Sequence, residues 1–323
     1  MDKILICSLG SIGKRYKKII KAKWPEVEIG VLRSRDKSIY TRRDLVDECT
    51  KYFYSIKDAI AWSPDGAIVC SPANMHLEQA NALLSVKIPA LIEKPLITGE
   101  EKESEIERLI ELKNKTAVEV GYVYRHHPLV KELKNILERK EIGLIVDADF
   151  YCGSWLKEWR DNVNYKESVS ARKELGGGAL LELSHEIDMA HYLFGKLSLK
   201  GANIINTGLL QTNAEDMATL LLTNSQNVSI CIRVNYCSKP SKRHVNIRGE
   251  LGEIIWDLIE QKLTVVKSDG DRIEYSQILQ RDELFEKQLL HFFEIIEEQK
   301  RPKCSIGEAL QVVRCIQKAR NLK

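Results

Sequence analysis

The sequence predicts an α/β protein of two domains: a doubly wound parallel sheet over residues 1–121, then an α+β domain with an open, largely antiparallel sheet over 122–323. Short buried β-rich runs alternate with helical patterns as far as Gly121. Beyond it, strands follow one another with few helices between, and two helical stretches close the chain. Strict rotation of strand and helix implies a parallel sheet, because each crossover lays a helix on one of its faces. Strands joined by short turns imply antiparallel or mixed pairing. The last helix could pack back on the first domain.

Taken in order, Lys3 to Ser8 reads as a buried strand, and Ile12, Tyr16, Ile19 and Ile20 follow at helical spacing. Val27 to Leu32 is the next strand, after the break at Trp24-Pro25. Ala67 to Cys70 ends at Ser71-Pro72, and Asn74 is placed to cap a helix carrying Leu77, Ala80, Leu83 and Leu84. Ala90 to Ile92 is a further strand, as is Thr116 to Val120 after a charged helix. In the second domain a helix through Leu129, Leu133, Ile136 and Leu137 leads to a strand from Leu144 to Tyr151. A polar, aromatic segment follows, then a glycine run that opens one long helix from Gly178 to Phe194. Strands are expected at Ala202 to Asn206, Met217 to Leu222, Val228 to Tyr236, His244 to Ile247, Glu253 to Trp256 and Leu263 to Val266. Helices from Leu284 to Glu298 and from Ile306 to Arg320 finish the chain.

A chain of 323 residues suits two such domains, and 44% hydrophobic with 29% charged residues is the balance of a soluble globular protein. The net charge is only +3, with bases and acids mixed throughout. That argues against a nucleic-acid partner, whose phosphates call for a concentrated basic face. The eight cysteines (Cys7, Cys49, Cys70, Cys152, Cys231, Cys237, Cys304 and Cys315) form no CxxC pair and accompany no histidine cluster. No metal site is therefore expected, and reduced thiols are. The run Met1 to Ser8 is too short for a signal peptide, and no stretch approaches the roughly 20 apolar residues that span a bilayer. The expectation is a cytoplasmic protein with no membrane partner.

The turn after the first strand reads Ser8-Leu9-Gly10-Ser11-Ile12-Gly13, a dinucleotide fingerprint with serine in place of its first glycine. Gly10 lets backbone lie against a pyrophosphate, Gly13 lets the helix pack closely on the strand, and the helix N-terminus offers unpaired N–H groups to the phosphates. Such a pattern alone is no more than a glycine turn; following a strand and opening a helix gives it the required context. Where NAD binders carry an acid about 20 residues further on, the second strand here ends in Arg33-Ser34-Arg35. A guanidinium pairs with a 2′-phosphate, which favours NADP. Asp36 nearby keeps NAD open.

The run Ile92-Glu93-Lys94-Pro95 places a lysine at the carboxyl edge of the sheet, where ligands of open α/β folds collect. With the glycine turn, it resembles the glucose–fructose oxidoreductase, inositol dehydrogenase and rhizopine-catabolism family (Gfo/Idh/MocA). The resemblance continues in order along nearly the whole chain: Ser71-Pro72 with His76, Gly121-Tyr122 with Arg125 and Pro128, and Gly176-Gly177-Gly178 with His185 and Asp188. Glu215-Asp216, Gly249 to Gly252 and the final helices also fit. It implies a Rossmann domain, a second domain whose open sheet supports substrate and homo-oligomer formation, and hydride transfer at a sugar or cyclitol carbon. The implied cofactor contacts are Ser8, Gly10, Ser11, Ile12, Gly13, Arg33, Ser34, Arg35, Ser71, Pro72, His76, Glu93 and Lys94. Lys94 would lie near both nicotinamide and the reacting hydroxyl, where its amine can stabilise a developing alkoxide. His185 would be the acid–base group. The sequence departs from the pattern at Leu181, where many members carry an aspartate. Glu182 and Asp188 each lie three residues from His185, so on one helix either could orient the imidazole, and Glu182 is the expected partner.

The segment from Trp155 to Arg172 is rich in aromatic and basic residues. Aromatic faces pack on sugar rings and arginines recognise carboxylates or phosphates, although a loop packing its aromatics on the core would look the same. Arg125, Trp159, Arg160 and Tyr165, with His185 and Asp188, are the substrate-side candidates. The run Glu174 to Asp188 looks like a subset of the family associated with surface-sugar biosynthesis. A dinucleotide- or sugar-binding sensor without catalysis, and a reductase of imines or linear tetrapyrroles, are the rival readings.

Overall fold

A computed structural model describes residues 1–33, 50–159 and 164–322. The chain divides into two compact units, one of residues 1–121 with 281–307 and one of residues 122–280 with 308–323.

In the first unit the described strands are β1 (Lys3–Cys7), β2 (Glu28–Leu32), β3 (Thr50–Phe53), β4 (Gly66–Val69), β5 (Ala90–Glu93) and β6 (Val118–Gly121). They form a parallel sheet in the order β3-β2-β1-β4-β5-β6. The helices are α1 (Ser11–Lys23), α2 (Ile56–Ala61), α3 (His76–Ser85) and α4 (Glu103–Leu112). β1 and β4 are apolar and buried on both faces, as helix-covered parallel strands require. The short strand β3 goes unnoticed in the sequence, because only its terminal residues Thr50 and Phe53 are buried. Asn74 does not cap a helix. Pro72 instead starts a 3₁₀ turn, Ala73–Met75, and α3 begins at His76 without a side-chain cap.

The second unit contains α5 (Pro128–Glu138), β7 (Ile145–Gly153), α6 (Ala179–Glu182), α7 (His185–Phe194), β8 (Ser198–Ile205), β9 (Met217–Thr223), β10 (Ser229–Asn235), β11 (Lys242–Gly249), β12 (Gly252–Asp257), β13 (Lys262–Lys267) and β14 (Arg272–Ser276). The strand order is β14-β13-β12-β11-β7-β10-β9-β8, antiparallel throughout except for the parallel pair β7/β10. Along β10, Ile230, Ile232 and Val234 are buried while Ser229 and Arg233 are exposed, so one face carries the core and the other looks outward. The expected single helix from Gly178 to Phe194 is two helices. The chain leaves helical geometry at Leu183, and α7 begins afresh at His185.

Two helices complete the chain. α8 (Arg281–Glu298) belongs to the first unit, where Phe285 meets the Tyr16 ring edge-on at 5.5 Å and Phe293 meets Trp24 at 4.8 Å. α9 (Ile306–Asn321) lies in the second unit from Glu308 onward. None of the described helices is long and apolar enough to cross a membrane.

Candidate functional site

Strand register in the first unit lines the candidate residues along one sheet edge. Cys7 pairs with Val69 and Val69 with Ile92. Ser8, Ser71 and Lys94 therefore follow the carboxyl ends of three adjacent strands, where open α/β sheets bind ligands. Ser8 has φ +88°, the left-handed region that favours glycine, at the position where the fingerprint usually has one. A Cβ on Gly13 would stand 2.1 Å from the Ser8 carbonyl oxygen, so α1 approaches the strand end only because residue 13 lacks a side chain. A Cβ on Gly10 would meet nothing within 4 Å. That space lies at the N-terminus of α1, whose first turn contains Ser11 and Ile12 and no acid. The arrangement fits a dinucleotide pyrophosphate.

Arg33, expected to meet the 2′-phosphate, follows the end of β2. It is 4% exposed, and its guanidinium lies 4.8 Å over the Tyr52 ring, which engages it within the unit. Ser34 and Arg35 lie outside the described residues.

Lys94 is half-buried at the end of β5. Its backbone N–H donates to Glu93 Oε2 at 3.2 Å, while the buried Tyr16 hydroxyl donates to Glu93 Oε1. Burial pushes the Glu93 carboxyl above the usual range, against the Tyr16 hydrogen bond and the Lys94 charge, which favour the ionised form. Gln288 of α8 stands 3.2 Å from the same Tyr16 hydroxyl. His76, expected as a cofactor contact, braces the sheet edge. It is 1% exposed, with its ring nitrogens 2.9 Å from the Pro95 carbonyl and 2.8 Å from the Ser71 carbonyl, and burial lowers its pKa. It therefore ties Ser71-Pro72 to Lys94-Pro95. The Ser71 hydroxyl donates to Gln79 at 2.8 Å.

In the second unit His185 opens α7 between two aromatic rings, with Tyr122 at 5.6 Å and Tyr124 at 5.2 Å between centroids, both edge-on. Glu182 ends α6 and His185 begins α7, so the two lie on successive short helices rather than on one. Asp188 does lie on α7, but both its oxygens accept from Arg125, at 3.0 and 2.7 Å. Arg125 also donates to Glu308 at 2.6 Å and lies over the Tyr192 ring. Both residues are buried, and burial pushes the Asp188 carboxyl up to about 6 against the pull of Arg125. Arg125 and Asp188, both expected on the substrate side, are thus paired with each other inside the unit.

The glycine run has its own local reason. Gly176 and Gly178 have φ +84° and +113°, and a Cβ on Gly177 would stand 2.2 Å from the Val169 carbonyl oxygen. Trp159 donates from its indole to Ser154 at 2.7 Å and meets Tyr236 edge-on, remaining partly exposed. The Tyr165 hydroxyl accepts from the Gln211 backbone at 3.4 Å. Arg160 lies outside the described residues.

Sequence reasoning gives no site role to Tyr16, Gln288, Tyr124, Glu186 and Arg243, and marks Tyr122 only as part of a motif. Tyr16 sits in an apolar helical stripe and reads as core. Arg243 donates to Glu186 at 2.6 Å from β11, a pairing that no local spacing announces.

Residues 3–124 match the model described as oxidoreductase family, NAD-binding Rossmann fold, and residues 134–321 match oxidoreductase family, C-terminal alpha/beta domain. The chain is 26% identical over 219 residues to an uncharacterized oxidoreductase of Synechocystis, covering 63% of this chain and 58% of that protein. It is 33% identical over 138 residues to levoglucosan dehydrogenase of Pseudarthrobacter phenanthrenivorans, covering 42% and 34% respectively. The chain thus spans 58% and 34% of these two relatives' lengths. Among solved structures, levoglucosan dehydrogenase with NADH and levoglucosan superimposes with a TM-score of 0.82 at 18% identity, over 98% of this chain and 96% of that one. A 3-ketoreductase from Actinomadura kijaniata with NADP gives 0.79 at 18% identity, over 99% and 97%. At such identities the likeness is one of fold.

Proposed function

The chain belongs to the Gfo/Idh/MocA oxidoreductase family, and from that premise we propose that it is an NAD(P)-dependent dehydrogenase that interconverts a secondary hydroxyl and a ketone on a sugar, cyclitol or sugar derivative. The observation that carries the proposal is the alignment, along one sheet edge, of an open glycine turn and a half-buried lysine two strands away. The names of relatives support a sugar: levoglucosan dehydrogenase, glucose-6-phosphate 3-dehydrogenase of Bacillus subtilis and a UDP-N-acetylglucosamine 3-dehydrogenase from Acidithiobacillus ferrooxidans.

A bound nicotinamide supplies the hydride acceptor, or the donor in the reverse direction. The turn from Ser8 to Gly13 and the first N–H groups of α1 hold the pyrophosphate. The basic sequence closing β2 favours NADP, with Arg35 the residue proposed to meet the 2′-phosphate. Lys94 donates a hydrogen bond to the reacting oxygen and stabilises its negative charge as the proton leaves. His185 takes that proton on a ring nitrogen and returns it in reduction. Glu182 is the proposed carboxylate partner of His185, since Asp188 is held by Arg125. Trp159 and Tyr165 offer partly exposed rings to the substrate. Self-association through the outward sheet face, where Leu221 is 50% exposed, belongs to the same proposal.

The test is a screen of purified protein with both dinucleotides against sugars, amino sugars and nucleotide sugars. Lys94→Met is expected to lower kcat about 100- to 1000-fold with dinucleotide affinity largely intact. Full turnover by that variant would remove the role given to Lys94. A sensor is the second reading, favoured by the engagement of Asp188 with Arg125. It would bind dinucleotide and turn over none of the candidates.

A further inference from the structure

Arg243, Glu186 and Tyr124, which no motif marks, form one connected group with His185. Arg243 donates from Nε to Glu186 Oε1 at 2.6 Å, and Glu186, the residue after His185, is 2% exposed. The same guanidinium lies 3.9 Å from the centroid of the Tyr124 ring. Tyr124 in turn meets the His185 ring edge-on at 5.2 Å, and Tyr122 meets it from another direction at 5.6 Å. One arginine therefore touches both the helix turn that bears the imidazole and a ring that packs against it.

Stability alone accounts poorly for this arrangement. Removing two charges from water costs several kcal/mol per ion, so a buried pair often gains no more than well-packed apolar residues would. A guanidinium does what an apolar side chain cannot: its planar fork holds a carboxylate while its face stacks on an aromatic ring. Other ionisable groups lie on the same and adjoining elements: Glu182, the proposed partner of His185, ends α6. Asp188 on α7 is paired with Arg125, and burial pushes the Cys152 thiol on β7 up to about 12, which leaves it neutral.

We infer that Arg243 is a positioning residue for His185: it holds Glu186 and the Tyr124 ring, fixes the plane of the imidazole between them, and keeps a compensating positive charge beside the Glu186 carboxylate. The inference rests on the acid–base role proposed for His185.

The test uses the whole 323-residue chain and has two readouts, a pKa that needs no substrate and kcat on a screened sugar. The pKa of His185 is read by NMR titration of its imidazole C–H signals, assigned by their loss in His185→Ala. Arg243→Met leaves the Glu186 carboxylate without its cation, which favours imidazolium, so the His185 pKa is expected to rise by roughly half a unit to one unit. Arg243→Lys keeps the charge but loses the stacked fork. Its His185 pKa is expected to stay near that of the wild type, while kcat on whichever screened sugar the wild type oxidises falls on the order of 10- to 100-fold. Should Arg243→Met fail to fold, Tyr124→Leu removes the ring and keeps the ion pair, and the same loss of kcat is expected. An unmoved His185 pKa in folded Arg243→Met, or full kcat in Arg243→Lys or Tyr124→Leu, overturns the inference. His185→Ala at the wild-type rate sinks the proposed acid–base role as well, whereas inactive His185→Ala beside fully active Arg243→Lys sinks only this inference.

Discussion

The two glycine-rich turns look alike in sequence and differ in what surrounds them. At the first, a Cβ on Gly10 would enter empty space, and only Gly13 is crowded, by the Ser8 carbonyl. At the second, Gly177 faces the carbonyl oxygens of Val169, Ser170 and Arg172, and Gly178 faces the Glu215 carboxylate. One turn keeps room beside a helix end, which is what a ligand needs. The other is filled by its own unit. A glycine motif therefore speaks for a ligand only where the missing side chain leaves a vacancy.

The largest effect is expected at the two crowded backbone contacts. Gly13→Ala and Gly177→Ala each drive a methyl against a carbonyl oxygen, at 2.1 and 2.2 Å, and should lose about 3 kcal/mol or more in denaturant unfolding. Near-native stability in either would break the comparison on its crowded side. Gly178→Ala adds a strained φ of +113° to a contact with the Glu215 side chain, which Arg320 holds at 2.9 Å. About 2 kcal/mol should be lost, and Glu215→Ala in the same chain should recover only part of it, because the backbone strain stays. Gly10→Ala should cost less than about 1 kcal/mol, a helix-capping effect. Its mark is instead on dinucleotide affinity, weakened on the order of 10-fold or more because the methyl fills the phosphate cradle. Unchanged affinity by calorimetry would erase the distinction between the turns. Smallest of all, Ser8→Gly should change stability by no more than about 1 kcal/mol: glycine removes the cost of φ +88° but adds freedom to the unfolded chain.

What could be read in advance was what is local. The apolar run of β1, the glycine spacing and Lys94 before Pro95 each declare themselves within a few residues, and the order of strand and helix follows. The helix break at Leu183 escaped because Leu180, Leu181 and Ile187 are buried on both sides of it, so the apolar pattern runs through unchanged. The strand β14 escaped because four of its five residues are exposed and none alternates with a buried neighbour. Asn74 misled because Pro72 shapes the turn ahead of it. At the candidate site, Tyr16 with Gln288 and Arg243 with Glu186 are pairs formed across the fold. Neither partner carries a signal until topology brings them together.

The first unit is not one continuous stretch of chain. Met1 donates to Glu297 at 3.0 Å, Phe292 and Ile296 fill the space over Gly66, and Gln288 reaches Tyr16 beside Glu93. A ribosome making this protein must therefore reach the end of α8 before the N-terminal sheet can acquire that helix. Until then the Phe292 and Phe293 contacts are missing, and the nascent sheet keeps an apolar face that a chaperone could recognise.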